Sequence, residues 1–353
     1  MKKIRVLVVE DSAVVRELLC HIIRQDPRLE VAAAVPCAEE ALRVLHRVKP
    51  DVISMDIRLP GMNGFEATER IMAERPTPIV VVSASVESED LHITMNALRA
   101  GALSVVEKPL GSTHQDYQIL AESLCTRLAI MSEVKVIRRR RPASRPLDPM
   151  AKTAPPGQRS PGTYRALGVV TSTGGPSAVA KLLAGFRIDF PLPILLVQHI
   201  TASFLKGYVD WLNSVSPLPA VIARNGELPV GGQIYVAPAE GHLRIRSRRL
   251  HIEGGDPVCG QIPSGTVLLE SMARDLGAQA IGVVLTGMGE DGASGLLAIH
   301  RAGGYTIVED QTTAVVFGMP AAALQLGGVS ESLPLDSIIS RICELAPTGQ
   351  EVR

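Results

Sequence analysis

Short apolar runs recur along this chain at spacings filled by helix-like stretches, and that rhythm restricts the fold more than any other feature. In the first 125 residues the runs are Ile4–Val9, Val52–Met55, Ile79–Val82 and Leu103–Val106. From Tyr164 onward they are Leu167–Val170, Ile194–Val197, Gln233–Ala237, Ile281–Leu285 and Tyr305–Val308. Runs of four to six residues are too short for core helices and suit strands buried on both faces. Between them, residues such as Val14, Val15, Leu18, Leu19 and Ile22 return at helical spacing. Such alternation predicts parallel sheets clothed by helices. Two stretches of it predict an α/β fold of two doubly wound parallel-sheet domains.

The length of 353 residues agrees with two domains. Their cores must be built from Val, Leu, Ile and Ala, because only 3% of residues are aromatic. Between them the composition shifts. Prolines stand at 142, 146, 149, 155, 156 and 161, and Arg138–Arg141 is an unbroken basic run. From Arg138 to Thr163 seven Lys/Arg face one Asp, a net of +6. Such a stretch buries no core and reads as a solvated linker rather than a nucleic-acid patch. The expected boundaries are 1–125 for the first domain, 126–163 for the linker, 164–345 for the second domain and 346–353 for a tail. From Tyr164 to the end, 13 Lys/Arg against 16 Asp/Glu leave a net of −3, a poor footprint for nucleic acid. No apolar run approaches the ~18 residues of a membrane span, and the N-terminus has no signal-peptide pattern. The five cysteines are odd in number and widely spaced, with no Cys-x-x-Cys pair. Free thiols in the cytoplasm, with no membrane insertion, are expected.

Chemistry gathers at the ends of the runs. Glu10 and Asp11 follow the first strand and Asp56 follows Val52–Met55, so parallel strands carry three carboxylates to one sheet edge. Unpartnered, they would repel; beside a cation they stay ionised. Hard oxygen ligands suit Mg²⁺. Lys108 and Ser83 fall just past two further strands. A lysine and a hydroxyl beside a metal and an aspartate make a phosphoryl-transfer pocket with Asp56 as acceptor. Helix capping explains Asp11 alone, but not the set of five residues.

Residues 1 to about 125 therefore resemble a response-regulator receiver domain. The matching features are the acid pair, Asp56-Ile-Arg-Leu-Pro60-Gly-Met-Asn63-Gly64, Ser83 and Lys108-Pro109. The resemblance implies a flavodoxin-like fold and Mg²⁺ held by Glu10, Asp11, Asp56 and the carbonyl of Arg58. It also implies phosphorylation of Asp56 by a histidine kinase, sensed through Ser83 and Lys108. Asn63 stands where an Asp is common, and Val105 where many receivers carry a switch aromatic.

In the second half, Ser172, His199 and Asp291 each lie beyond an apolar run. Ligands bind in the crevice outside the carboxyl ends of such strands. A nucleophile, a base and an orienting carboxylate are the parts of a serine hydrolase. Ser172 opens Ser172-Thr-Gly174-Gly175-Pro176, and the glycines and proline introduce a helix over Ser177–Leu183. Each residue alone has a structural reading as cap, strand-end histidine or turn acid. The joint arrangement favours chemistry. His242 is a further candidate for the cleft. Gly287-Met-Gly289-Glu-Asp-Gly292, with Glu309 and Asp310 further on, also matches a dinucleotide fingerprint. Two acids aimed at a pyrophosphate and too little following chain count against it.

Residues from about 164 to 345 resemble the catalytic domain of the chemotaxis protein-glutamate methylesterases. Five strings carry the match: Ser172-Thr-Gly-Gly-Pro, Val197-Gln-His199, Val236-Ala-Pro238, Leu285-Thr-Gly-Met-Gly-Glu-Asp291-Gly-Ala and Val316-Phe-Gly-Met-Pro320. The resemblance implies a Rossmann-like αβα fold without a cofactor of its own. Ser172 is the implied nucleophile, His199 the base and Asp291 the orienting acid, with the backbone amides of Thr173 and Met288 holding the oxyanion. The implied substrate is a methylated glutamate, or a glutamine, on a chemoreceptor helix. The resting receiver is implied to cover the cleft until phosphorylated. Two departures stand out. Val170-Thr171 replaces a Gly-Ala pair, and Ser264-Gly265-Thr266 stands where many members have Ser-Val-Asp. The alternative classes are a receiver-linked DNA-binding regulator and a non-catalytic scaffold.

Overall fold

The computed structural model describes residues 2–83, 88–109, 117–134, 136 and 164–346. Contacts divide the chain into two units. The first takes Met1–Arg138 with Thr173–Ala180 and Ile200–Ser214; the second takes Arg139–Ser172, Lys181–His199 and Val215–Arg353. The packing thus assigns two segments of the expected second domain to the first unit.

The sheet of the first unit comprises β1 (Ile4–Val9), β2 (Leu29–Val35), β3 (Val52–Asp56), β4 (Ile79–Ser83) and β5 (Ser104–Glu107). All pairs are parallel, in the order β2-β1-β3-β4-β5. That is the flavodoxin-like order, whose switch point lies between β1 and β3. The helices are α1 (Ala13–Gln25), α2 (Ala38–Val48), α3 (Gly64–Glu74), α4 (Ser88–Ala100) and α5 (Tyr117–Ser132). Asn63 caps α3: its Oδ1 accepts from the Glu66 amide at 2.9 Å, and Glu66 reaches back to the Asn63 amide at 3.3 Å. Asn serves here as well as Asp, because either caps with a side-chain oxygen. Helix α5 runs seven residues past the expected boundary at 125, because Leu128, Ala129 and Met131 are buried apolar anchors. The rest of the basic linker from Ile137 to Thr163 lies outside the described residues, as does the tail from 347.

The second sheet comprises β6 (Ala166–Thr171), β7 (Ile194–Gln198), β8 (Ala220–Ile222), β9 (Ile234–Val236), β12 (Ala280–Val284), β13 (Tyr305–Glu309) and β14 (Glu331–Leu333). A separate antiparallel hairpin pairs β10 (His242–Arg246) with β11 (Arg249–Glu253). The seven-stranded sheet is parallel throughout, in the order β14-β13-β12-β6-β7-β9-β8. β6, β7 and β12 are buried along their whole length, as continuous apolar strands must be. Both edges are three-residue strands, too short to recruit another sheet. The helices are α6 (Gly175–Ala184), α7 (Ala202–Val215), α8 (Gly265–Asp275), α9 (Ala293–Arg301), α10 (Met319–Leu326) and α11 (Leu335–Leu345). Aliphatic residues dominate the cores, as expected, yet Trp211, Tyr208 and Phe204 of α7 and Tyr235 of β9 are among the largest fully buried side chains. All five thiols are free. Among the described residues no helix is long and apolar enough to cross a membrane.

Candidate active site

The chain leaves β6 toward β7 and β12 toward β13, on opposite sides, so the switch point of the second sheet lies between β6 and β12. Residues just past these strands face the crevice where open α/β sheets bind ligands. Ser172 follows β6, His199 follows β7 and Thr286 lies beyond β12. The β6–β7 register pairs Thr171 with Gln198, which sets Ser172 opposite His199 on strands about 4.8 Å apart. Gln198 Nε2 fastens the two ends by donating to the carbonyls of Ser172 (2.9 Å) and His199 (3.1 Å). Gly174, at φ +76, turns the backbone sharply into α6, which begins at Gly175, two residues before the expected start.

Asp291 lies in a cradle of donors. His199 Nε2 is 2.8 Å from Oδ2, and the Gly265 amide donates to that oxygen at 2.6 Å. The Ser264 hydroxyl (2.6 Å) and the Thr266 amide (2.9 Å) donate to Oδ1. Three of these donors belong to the N-terminal cap and first turn of α8, where free amides and the helix dipole favour an anion. Burial alone would raise the carboxyl. The bonds from His199 and Ser264, the imidazole charge and the Thr266 amide outweigh it, holding the carboxyl at about 2. An ionised Asp291 only accepts, so His199 Nε2 carries a proton and Nδ1 is left as the basic lone pair. This reverses the familiar arrangement in which Nδ1 faces the acid.

His199 and Asp291 are thus brought together. Ser172 sits beside them, but among the described residues no hydrogen bond joins its hydroxyl to the imidazole. Catalytic hydrogen bonds commonly tighten only when substrate is bound. His242 is buried just behind: its Nδ1 accepts the Ser264 amide at 3.1 Å and its Nε2 donates to the Asp256 carbonyl at 3.1 Å. It braces the cap of α8. The Gly-x-Gly-x-x-Gly segment does open α9 at Gly292, but Asp291 is spent in its cradle and Glu309 on the Thr286 amide. Neither acid faces outward as a dinucleotide site requires.

The two departures around the serine turn out to be one. A Cβ built on Gly265 collides with Val170 Cγ1. Val170 thus fills, from the β6 side, the space that a side chain at position 265 would take from the α8 side. The acid missing at position 266 is covered too, because Thr266 Oγ1 accepts the Gly292 amide at 2.8 Å. Gly265→Val should cost about 1–3 kcal/mol by overpacking. Val170→Gly should cost about as much through the void and the looser strand. The double variant should recover much of the loss, giving a coupling of up to about 3 kcal/mol in a denaturant-unfolding cycle. Additive losses would show that the two positions are independent.

In the first unit, carboxylate oxygens of Glu10, Asp11 and Asp56 all lie within 4.8 Å of one another. Lys108 Nζ is 2.8 Å from Glu10 Oε2 and 2.9 Å from Asp56 Oδ2. Burial, together with the Asp56 charge, raises the Glu10 carboxyl against the pull of Lys108. Burial works against the Lys108 ammonium, but the two carboxylates raise it above its usual range. Arg58 donates its amide to Asp56 Oδ1 at 3.3 Å, and Ser83 is buried at the end of β4. Three carboxylates against one ammonium leave a surplus of negative charge on hard oxygen donors, which fits a divalent cation such as Mg²⁺.

A hydroxyl, an imidazole and a cradled carboxylate around one switch point define a serine-hydrolase type of site, in a chain whose other unit bears a lysine-capped acid pocket of the phosphoacceptor type. Known proteins agree. Residues 167–342 match the CheB methylesterase family and residues 6–116 match the response regulator receiver domain. The chain is 56% identical over 352 residues to protein-glutamate methylesterase/protein-glutamine glutaminase 2 of Paramagnetospirillum magneticum, covering 99% of both. It is 41% identical to a namesake from Geobacter metallireducens, covering 97% of this chain and 99% of that one. The crystal structure of the Thermotoga maritima CheB methylesterase catalytic domain is 32% identical with a TM-score of 0.50, covering 52% of this chain and 99% of that one. The chain belongs to the CheB protein-glutamate methylesterase family, and the DNA-binding alternative falls with that assignment.

Sequence reasoning missed the cradle of Asp291 and the brace at Gln198. A signal for the first existed: Ser264, three residues before the apolar run Val267-Leu-Leu, is an N-cap signature, and a helix N-terminus attracts a carboxylate. For Gln198 nothing in the local pattern separates a structural amide from a free one.

Proposed function

We propose that this chain hydrolyses γ-methyl esters of glutamate on chemoreceptor helices, deamidates glutamine at such positions, and is activated by phosphorylation of Asp56. The observation that carries the hydrolytic reading is the His199–Asp291 bond at 2.8 Å beside Ser172, with Asp291 held ionised by four donors. In the proposed reaction His199 Nδ1 takes the Ser172 proton as Oγ bonds to the ester carbonyl carbon. The backbone amides of Thr173 and Met288 receive the developing oxyanion. The C–O bond to the methoxy group then breaks, and the imidazolium returns its proton so that methanol leaves. Water, activated by the same nitrogen, cleaves the acyl-serine and restores a carboxylate. An amide substrate follows the same route and releases ammonia. The assay is methanol release from a methylated receptor.

Asp56 is the proposed phosphoacceptor, with a histidine kinase as donor and Lys108 and Ser83 contacting the phosphoryl oxygens. Glu10, Asp11, Asp56 and the Arg58 carbonyl would hold Mg²⁺, which would neutralise charge on the transferring group. Phosphorylation adds about −1.5 to −2 charges at Asp56. Allosteric couplings of this kind are typically about 5- to 150-fold. Stimulation of methanol release by a small-molecule phosphodonor should fall in that range, and in Asp56→Ala the ratio should drop to about one. A variant that still responds in full would remove Asp56 from the switch.

A further inference from the structure

Glu309, the last residue of β13, is a carboxylate only 1% exposed that the proposed chemistry does not use. Among the described residues it has no ion-pair partner. Burial raises its carboxyl against the pull of the Thr286 amide and the Thr313 hydroxyl. A buried carboxyl with no close ion pair, helped only by the more distant charge of Lys181, is costly, so what it holds is informative. Its Oε2 accepts the Thr286 amide at 2.9 Å. Thr286 is the node of the site. Its carbonyl accepts the Ser172 amide at 3.1 Å and the Thr171 hydroxyl at 2.9 Å. Its hydroxyl accepts the Val316 amide at 2.9 Å. The next residue, Gly287, donates to the Val316 carbonyl at 3.0 Å and accepts from the amides of Gly318 and Met319 at 3.1 and 2.9 Å. A methyl group on Gly287 would collide with Met319 Sδ and lie 2.9 Å from Ser172 Cβ, so this turn has no slack.

We propose that Glu309 is a positioning residue for ester cleavage: its carboxylate fixes the Thr286–Met288 turn and, through the Thr286 carbonyl, the backbone of Ser172. One acceptor thereby sets both the nucleophile and the Met288 amide offered to the oxyanion. The inference rests on the reading of Ser172 as nucleophile. Without the acceptor the buried Thr286 amide loses this bond, and adjusting to the loss moves the turn. Misplacements of about 1 Å cost about 100-fold in rate.

The test uses the full-length protein and methanol release from a methylated receptor. Glu309→Leu keeps most of the volume and removes the acceptor. It should lower kcat by about 10- to 100-fold while KM changes by less than about twofold. Glu309→Gln keeps an acceptor oxygen at the same reach and should restore kcat to within about threefold, with a pH profile like the parent. Should the leucine variant not fold, Glu309→Asp withdraws the acceptor by one methylene and takes its place with the same expected loss. Full kcat in the leucine or aspartate variant, a glutamine variant as slow as leucine, or a loss confined to KM would each overturn the proposal. Ser172→Ala assayed alongside separates the two readings. If it stays active, the nucleophile is misassigned; if it is inert while Glu309→Leu is fully active, only the role of Glu309 fails.

Discussion

Ser172→Ala should lower methanol release from a methylated receptor by about 10⁴- to 10⁶-fold, the range over which removing a serine nucleophile takes a hydrolase. The loss belongs to kcat. The cradle around Asp291, the Gln198 brace through the residue-172 carbonyl and the Thr286–Ser172 backbone bond all survive the removal of one hydroxyl. Thermal unfolding should therefore move little, and phosphoryl transfer to Asp56 should proceed as before. Retained ester cleavage in a folded Ser172→Ala protein would remove the hydroxyl from its role and leave the His199–Asp291 pair without a nucleophile to serve.

Asp291→Asn should cost about 10³- to 10⁴-fold in kcat, for two separable reasons. The first is the tautomer. An asparagine amide facing His199 would donate to Nε2 and force the ring proton onto Nδ1, the nitrogen that must accept from Ser172. The second is the cradle. All four groups around Asp291 are donors, and an amide nitrogen among them has nothing to accept with. The stability consequence has a definite sign. The carboxyl lies at about 2 in the fold and near 4 when unfolded, so its contribution is fully present above about pH 4. It is lost as pH falls from there toward 2, and amounts to about 2–3 kcal/mol. Denaturant unfolding across that window should show this slope in the parent and lose it in Asp291→Asn. An active asparagine variant would mean that the imidazole is oriented by something other than the acid.

Much of this was legible in the sequence because strand-end chemistry in a parallel sheet is set by chain order. Short Val/Ile/Leu runs reveal buried strands, and the residue after each run must emerge at the same edge. That logic delivered Asp56 beside Glu10 and Asp11, and His199 opposite Ser172. It failed where tertiary contacts override local pattern. The β10–β11 hairpin turns at Ser247 and Arg248, both at positive φ (50 and 64), without the Asn-Gly or Asp-Gly that marks such turns. The missing preference is supplied by Asp275, whose carboxylate accepts the amides of Ser247 at 2.6 Å and Arg248 at 3.0 Å from a distant helix end. β2 was invisible for a different reason. Leu29–Val35 is held largely half-exposed at a sheet edge and carries three consecutive alanines, so it shows neither a strong apolar run nor a clean alternation. The length of α5 beyond residue 125 was likewise not legible, because only the burial of Leu128 and Met131 shows that the helix continues there.

The Val170–Gly265 contact bears on how members of this family can exchange parts. The two positions lie 95 residues apart in the chain yet share one volume. A recombinant that joins this chain's β6 to an α8 carrying a branched residue at position 265 would put two branched side chains in a space that holds one. An α8 like this one joined to a β6 with glycine at position 170 would leave the space empty. Crossover points between positions 170 and 265 thus divide partners into compatible and incompatible sets, whatever their percentage identity, and segments on both sides of the boundary have to travel together.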